Sequence, residues 1–121
     1  MKNRNIFSAL INALKGITHF FATERNGQVQ LMITIAVLVM SFLFDISASE
    51  WVIVVLLCAL VMTVEMGNTI TEKICDRITT DYDERIKVIK DLAAGAVLFI
   101  AIFAGVIGLI IFVPYFKEII L

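Results

Sequence analysis

The chain has 121 residues, of which 60% are hydrophobic and 17% are charged, and its net charge at pH 7 is −1. This composition is too apolar for a soluble domain of that length and predicts an all-α integral membrane protein with a single domain, residues 1–121. No basic run or basic-aromatic patch is present, which argues against a nucleic-acid partner. The cysteines, Cys58 and Cys75, match no metal or redox spacing, so we expect both to be structural.

The first segment, residues 1–27, has an amphipathic pattern. Six apolar side chains fall within an arc of about 120° on a helix: Phe7, Leu10, Ile11, Leu14, Ile17 and Phe21. We therefore predict a helix that lies along the cytoplasmic membrane surface. Packing of this helix against the other spans is an alternative, and the two arrangements are compatible. His19 has no second histidine or cysteine nearby and is interpreted as an interfacial side chain rather than a ligand.

Residues 28–116 are predicted to form three transmembrane helices. The uncharged runs are residues 29–44, 51–64 and 92–116. The last run is long enough to span with tilt, whereas the first two fall short of the ~20 residues that a span needs and must be completed by polar interfacial residues. No cleavable signal is expected, because the first 28 residues contain no continuous apolar core that ends in small residues.

The distribution of basic residues predicts the orientation. Lysine and arginine lie before the first span and between the second and third spans, none lies in the 45–50 connection, and only Lys117 follows the third span. Cytoplasmic loops carry an excess of these residues. The amino terminus and the second loop are therefore expected in the cytoplasm, where ATP and magnesium are available.

The second apolar run leads into a stripe of polar residues. Glu65, Asn68, Glu72 and Asp76 are spaced i, i+3, i+7 and i+11, so on a continuing helix they occupy an arc of about 80° and extend over ~16 Å. The alternative is a helix that leaves the membrane and becomes solvated. That alternative does not explain Glu65, because a carboxylate there would cost about 2.5 to 3.5 kcal/mol near the bilayer centre, and less toward the interface.

A phosphate site can be assembled from side chains and metal around this stripe. Glu24 is expected at the depth of Glu72, and the two carboxylates could bracket Mg²⁺, which prefers one or two carboxylates with phosphate oxygens and water. The glycines form neither a P-loop nor a dinucleotide fingerprint. Lys90 could contact a phosphate and Asp91 could supply an acceptor, although by themselves such residues are more often an interfacial anchor. Residues 93–96 are small and allow close approach of another helix.

These residues together resemble a known family. The pattern E-x-x-N-T-x-x-E-x-x-x-D at residues 65–76, "KDLAAGAVL" at 90–98, "KG" at 15–16 and "ERN" at 24–26 is similar to the small bacterial membrane lipid kinases, diacylglycerol kinase and undecaprenol kinase. The resemblance covers nearly the whole chain. It implies a surface helix plus three transmembrane helices, a homotrimer with active sites shared at subunit boundaries, a place in the bacterial plasma membrane, and ATP with Mg²⁺ as phosphoryl donor.

The resemblance also implies roles for individual residues. Glu65 matches the catalytic base and Asn68 the polar partner beside it, while Glu24 and Glu72 match the metal-binding carboxylates. The nucleotide-side positions are matched by Asp76, Lys90 and Asp91. Three positions depart from the family pattern, namely Ile70, Thr71 and Asp83, where alanine, isoleucine and histidine are usual.

The function expected from the sequence is ATP-dependent phosphorylation of a lipid hydroxyl, by diacylglycerol or undecaprenol kinase chemistry. Glu65 would assist by accepting the hydroxyl proton, which is typically worth ~10² to 10⁴ in rate. The alternative is a small proton-coupled transporter, which would not require carboxylates at 24, 72 and 76. The sequence leaves the lipid open, although "ERN" leans toward the undecaprenol kinases.

Overall fold

The computed structural model describes residues 5–121, and these are organised as four α-helices. The helices are α1 (Ile6–Thr23), α2 (Arg25–Leu43), α3 (Ala48–Ile78) and α4 (Glu84–Ile120). The prediction of an all-helical chain with four helices is confirmed. All four are long and apolar enough to cross a membrane, α1 included, so length and composition alone do not separate a surface helix from three spans.

Local sequence signals set where the helices begin. Asn5 caps α1, with its Oδ1 accepting from the Ser8 N–H at 2.7 Å. A capping box starts α3, in which Ser47 and Glu50 each accept a backbone N–H from the other. Asp83 caps α4 by accepting from two backbone N–H groups of the first turn. These caps satisfy donors that a helix start leaves without intrahelical partners.

Helix α3 continues without a break through the polar stripe, as predicted. It has 31 residues, which corresponds to about 46 Å and exceeds the ~30 Å of a bilayer core. Helix α4 begins at Glu84, before the uncharged run that predicted it, and continues through Pro114. Lys90 and Asp91 therefore lie in the second turn of α4 rather than in a loop.

The helices pack in chain order: α1 on α2, α2 on α3, and α3 on α4. Because α2, α3 and α4 alternate in direction, the bundle has two distinct ends. The Glu24 end contains the α1–α2 junction, the last turns of α3 and the first turns of α4. The Glu50 end contains the α2–α3 turn and the last turns of α4.

The buried core lies toward the Glu50 end. Ile46, Val54, Ile111 and Phe112 form it. A polar contact adjoins this core, because the Tyr115 hydroxyl donates to Glu50 Oε1 and thereby joins α4 to the start of α3. We call this contact the Glu50 clasp. The Phe44 ring stacks on Tyr115 with centroids 5.8 Å apart, so α2 also reaches the clasp.

Most large apolar side chains remain exposed on a single chain. On α1 these include Phe7, Leu10 and Leu14, with 72%, 59% and 58% of their surfaces exposed. Surfaces of this kind are stable only against lipid or another protein surface. The exposed apolar face of α1 is compatible with both arrangements expected from the sequence.

Gly27 is a point of close approach between α1 and α2. A Cβ atom at this position would lie 2.2 Å from the Phe20 carbonyl oxygen, which belongs to the backbone and cannot rotate away. Gly16, in the middle of α1, has no such neighbour within 4 Å. The angle between α1 and α2 therefore requires glycine at position 27, because any side chain there would collide with the α1 backbone.

We expect Gly27→Ala to destabilise the protein by about 1 to 3 kcal/mol, the usual cost of overpacking. Gly16→Ala is the matched control and should be neutral or stabilising, because alanine is favoured over glycine within helices. Thermal unfolding of both purified variants in one detergent measures the difference. Equal unfolding temperatures would show that the junction tolerates a Cβ.

Candidate functional site

The polar stripe of α3 forms one wall of the candidate site. Asn68 is buried, Glu65 and Glu72 are half-buried, and Asp76 is exposed. Asn68 Nδ2 donates to Glu72 Oε1 at 3.2 Å, so the amide orients this carboxylate. Asn68 Oδ1 is buried without a hydrogen-bond partner among residues 5–121. A buried acceptor without a partner is available to a ligand that donates a hydrogen bond or carries a positive charge.

Glu24 supplies a further carboxylate at the same end of the bundle. It is the single residue between α1 and α2, and its backbone N–H donates to the Phe20 carbonyl at 3.2 Å. Its Oε2 lies 2.9 Å from Lys73 Nζ of α3 and 3.3 Å from His19 Nε2 of α1. The hydrogen bond from Lys73 holds the pKa of Glu24 below its ordinary value.

Glu24 pairs with Lys73, the residue that follows Glu72 in α3, so both predicted metal ligands lie at the Glu24 end of the bundle. Between residues 5 and 121 no three His, Cys, Asp or Glu side chains gather closely enough to hold a metal by themselves. Mg²⁺ does not need such a cage, because it usually keeps several waters and binds through one or two carboxylates plus phosphate oxygens. The hard oxygens of Glu24 and Glu72, with the unpartnered Oδ1 of Asn68, fit a Mg²⁺ ion that a nucleotide would bring.

The predicted nucleotide-side residues are arranged as two ion pairs. Lys90 Nζ lies 2.6 Å from Asp76 Oδ1, which joins α4 to α3. Asp91 pairs within α4, with its Oδ2 at 2.6 Å from Lys87 Nζ. The structure therefore brings Lys90 to the stripe, whereas it pairs Asp91 with a lysine of the same helix.

Two residues at this site were not among the predicted site residues. The sequence assigned no site role to Lys73, and His19 was interpreted as an interfacial side chain. Both contact Glu24. No spacing rule indicates the Lys73 contact, because Glu24 and Lys73 are far apart in the sequence and meet only after α1, α2 and α3 have packed.

An apolar groove extends from the stripe toward the Glu50 end. Its volume is about 480 Å³, and residues of α2, α3 and α4 line it. Val61, one turn before Glu65, lies in its wall, as do Gly105 and Gly108 of α4. Buried Thr34 supplies one of the few polar atoms, and its hydroxyl has no partner among the described residues. Such a surface suits a hydrocarbon chain rather than a polar solute.

The fold and the site together define an integral membrane protein whose polar side chains gather at one end of an apolar helical bundle. Residues 11–112 match the sequence model of a family described as prokaryotic diacylglycerol kinase. The chain belongs to this family. It is therefore a bacterial membrane lipid kinase, a transferase that takes its phosphoryl group from a nucleotide, and this membership argues against the proton-coupled transporter.

Two named relatives are similar to the chain over most of its length. It is 39% identical to a protein of Bacillus subtilis named undecaprenol kinase over 108 residues, which cover 89% of this chain and 88% of the relative. It is 33% identical to a protein of Synechocystis named diacylglycerol kinase over 111 residues, which cover 91% of this chain and 63% of the relative.

Proposed function

We propose that this chain transfers the γ-phosphate of ATP to the hydroxyl of a long-chain membrane lipid. The observation that carries the proposal is the position of Glu65, half-buried on α3 one turn beyond Val61 of the apolar groove. A lipid tail in the groove would place its polar end at this carboxylate. The nucleotide phosphates would approach from the other side, where Glu24, Glu72 and Lys90 lie.

Glu65 is proposed as the general base and Asn68 as its polar partner. The lipid oxygen forms a bond to the γ-phosphorus, the bond from that phosphorus to the bridging oxygen of ADP breaks, and the hydroxyl proton passes to the Glu65 carboxylate. Asn68 keeps Glu72 oriented through its amide N–H. Its free carbonyl oxygen lies between the base and the metal-side carboxylate along the stripe.

Glu24 and Glu72 are proposed to hold Mg²⁺ together with the phosphate oxygens. A bound Mg²⁺ would neutralise phosphate charge. Lys90 is proposed to contact the nucleotide, with Asp76 holding its ammonium in place until then. Asp91 is proposed as a further acceptor on the nucleotide side, although in the structure its carboxylate is paired with Lys87.

Undecaprenol is the proposed lipid. The relative named undecaprenol kinase has the higher identity of the two, and nearly its whole length is covered. The groove adds independent support for a long apolar tail, because its lining is almost entirely hydrocarbon. Diacylglycerol remains the second candidate, since a relative bears that name.

The Glu24 end is proposed to face the cytoplasm of the bacterial cell, with α1 on the membrane surface. Basic residues concentrate at this end, including Lys15, Arg25, Lys73 and Arg77, whereas Lys117 is the basic residue near the Glu50 end. The excess of lysine and arginine on cytoplasmic segments supports this orientation. Lys2 and Arg4 add to the count but lie outside the described residues.

A homotrimer with shared sites is proposed as the active assembly. One chain leaves Glu65 half-exposed within an otherwise apolar stretch of α3, and a carboxylate there is costly against lipid. A neighbouring subunit would cover it. Residues 93–96 of α4 are small and offer a surface for close helix contact.

Replacing the base should separate binding from chemistry. We expect Glu65→Gln to lower lipid phosphorylation by about 10² or more, because glutamine keeps size and hydrogen bonding but accepts no proton. Magnesium-ATP affinity should stay near that of the unmodified protein, and Glu65→Asp should retain a little activity. Affinity and lipid turnover are measured on the same purified protein. Near-normal turnover would remove Glu65 from the mechanism, and lost ATP binding would make it a nucleotide residue.

The groove can be tested with the two candidate lipids. Undecaprenol should be turned over faster than diacylglycerol in the same mixed micelles. Gly105→Leu should raise the KM for lipid severalfold while leaving the KM for ATP unchanged, because a Cβ at Gly105 enters open space and the longer side chain would fill the groove.

Val106→Leu is the matched control, because Val106 is the next residue of α4 and is exposed rather than part of the groove lining. It should leave both KM values unchanged. Equal effects of the two variants would place the lipid tail elsewhere, and faster turnover of diacylglycerol would reverse the substrate assignment.

Shared sites predict rescue between inactive chains. If each site takes Glu24 and Glu65 from different subunits, random mixing of equal amounts of Glu24→Gln and Glu65→Gln chains should restore about a quarter of full activity, since a quarter of the sites receive both intact residues. The mixture is denatured and refolded together, and each variant alone serves as the control. A mixture as inactive as its components would contradict sharing of these two residues.

A further inference from the structure

The ion pair between Lys73 and Glu24 occupies an oxygen that the proposed metal site needs. Lys73 Nζ lies 2.9 Å from Glu24 Oε2, within hydrogen-bonding distance for an ammonium and a carboxylate. Lys73 stands next to Glu72 in the chain. The lysine ammonium therefore occupies an oxygen of one proposed metal ligand and belongs to the residue next to the other.

The Glu24 side chain points away from the start of α2. Glu24 occupies the capping position of α2, yet its side chain makes no hydrogen bond to the backbone of that helix. It contacts Lys73 and His19 instead. The carboxylate is thus turned away from the helix start and toward α3, where the other metal-side carboxylate lies.

The two partners differ in how freely they can move. The side chain of Glu24 is 22% exposed, and its backbone is fixed at the α1–α2 junction, whereas the side chain of Lys73 is 57% exposed. An exposed lysine on a flexible stem can leave at small cost, because surface ion pairs are individually weak. Glu24 would stay in place when Lys73 departs.

We propose that Lys73 is a built-in substitute cation that holds the Glu24 carboxylate until the divalent metal of the nucleotide displaces it. Lys73 is a positioning residue in this arrangement: it keeps the Glu24 carboxylate directed at α3, and it competes with the metal for the same oxygen. The proposal rests on the function proposed for Glu24 and adds an autoinhibitory contact to it.

The competition predicts that removing Lys73 strengthens metal binding. Lys73→Gln should tighten the binding of Mn²⁺, used as a paramagnetic probe for Mg²⁺, by about two- to fivefold, a range set by the usual strength of exposed ion pairs. Binding is measured by electron paramagnetic resonance on the full-length protein in detergent with a non-hydrolysable ATP analogue. The magnesium concentration for half-maximal lipid phosphorylation should fall by a similar factor.

Arg77→Gln is the matched control. Arg77 lies one turn further along α3 and forms no ion pair within the part of the chain that the structure describes. Its removal changes the net charge as Lys73→Gln does, without freeing Glu24. Mn²⁺ binding should therefore change less in Arg77→Gln than in Lys73→Gln, and Lys73→Arg should bind Mn²⁺ as the unmodified protein does.

The outcomes separate this proposal from the proposed role of Glu24. If Glu24→Gln binds Mn²⁺ as well as the unmodified protein, Glu24 is not a metal ligand and both ideas fail. If Glu24→Gln weakens binding while Lys73→Gln leaves it unchanged or weakens it, the metal role stands and the competition is overturned. Thermal unfolding of each variant identifies any loss that comes from the fold.

Discussion

The inability of hydrocarbon to form hydrogen bonds determines how this chain is arranged. Each backbone amide in an apolar setting must find its partner within the chain, so the described residues form four long helices joined by short turns. Hydroxyl side chains obey the same constraint. Ser41 is fully buried and donates to the Val37 carbonyl of its own helix, and Thr63 donates likewise to Ala59. Polar chemistry is thereby directed to the ends of the helices, where several chain segments converge.

The Glu24 end shows how such a convergence is built from few contacts. Helices α1 and α2 meet backbone to backbone at Gly27, which fixes the junction that contains Glu24. Lys73 then ties this junction to α3, and Lys90 ties α4 to Asp76. The two ion pairs involve exposed lysine side chains, so each is individually weak. The arrangement can therefore change when a strongly charged ligand arrives, while the backbone that supports it stays in place.

The helices and the stripe were predictable because their signals are local. Apolar runs indicate helices that can span a bilayer, and the spacing of Glu65, Asn68, Glu72 and Asp76 places them on one face of α3. The contact of Lys73 with Glu24 was not predictable, because it depends on how the α1–α2 junction packs against the last turns of α3. Asp91 was expected to act beside Lys90, yet it pairs with Lys87. An i, i+4 pairing within one helix is a local signal that sequence reasoning could have used.

The Glu50 clasp has a consequence for how the protein is made. Tyr115 follows Glu50 by 65 residues, so the clasp cannot close while α4 is still being synthesised. Until then the start of α3 has its own capping box but lacks the tyrosine, and Phe44 lacks the ring on which it stacks. During insertion, α2 and α3 must therefore remain in the bilayer as a helical hairpin without the Glu50 clasp. Final closure of that end is a late event in biogenesis, which follows the arrival of the last helix.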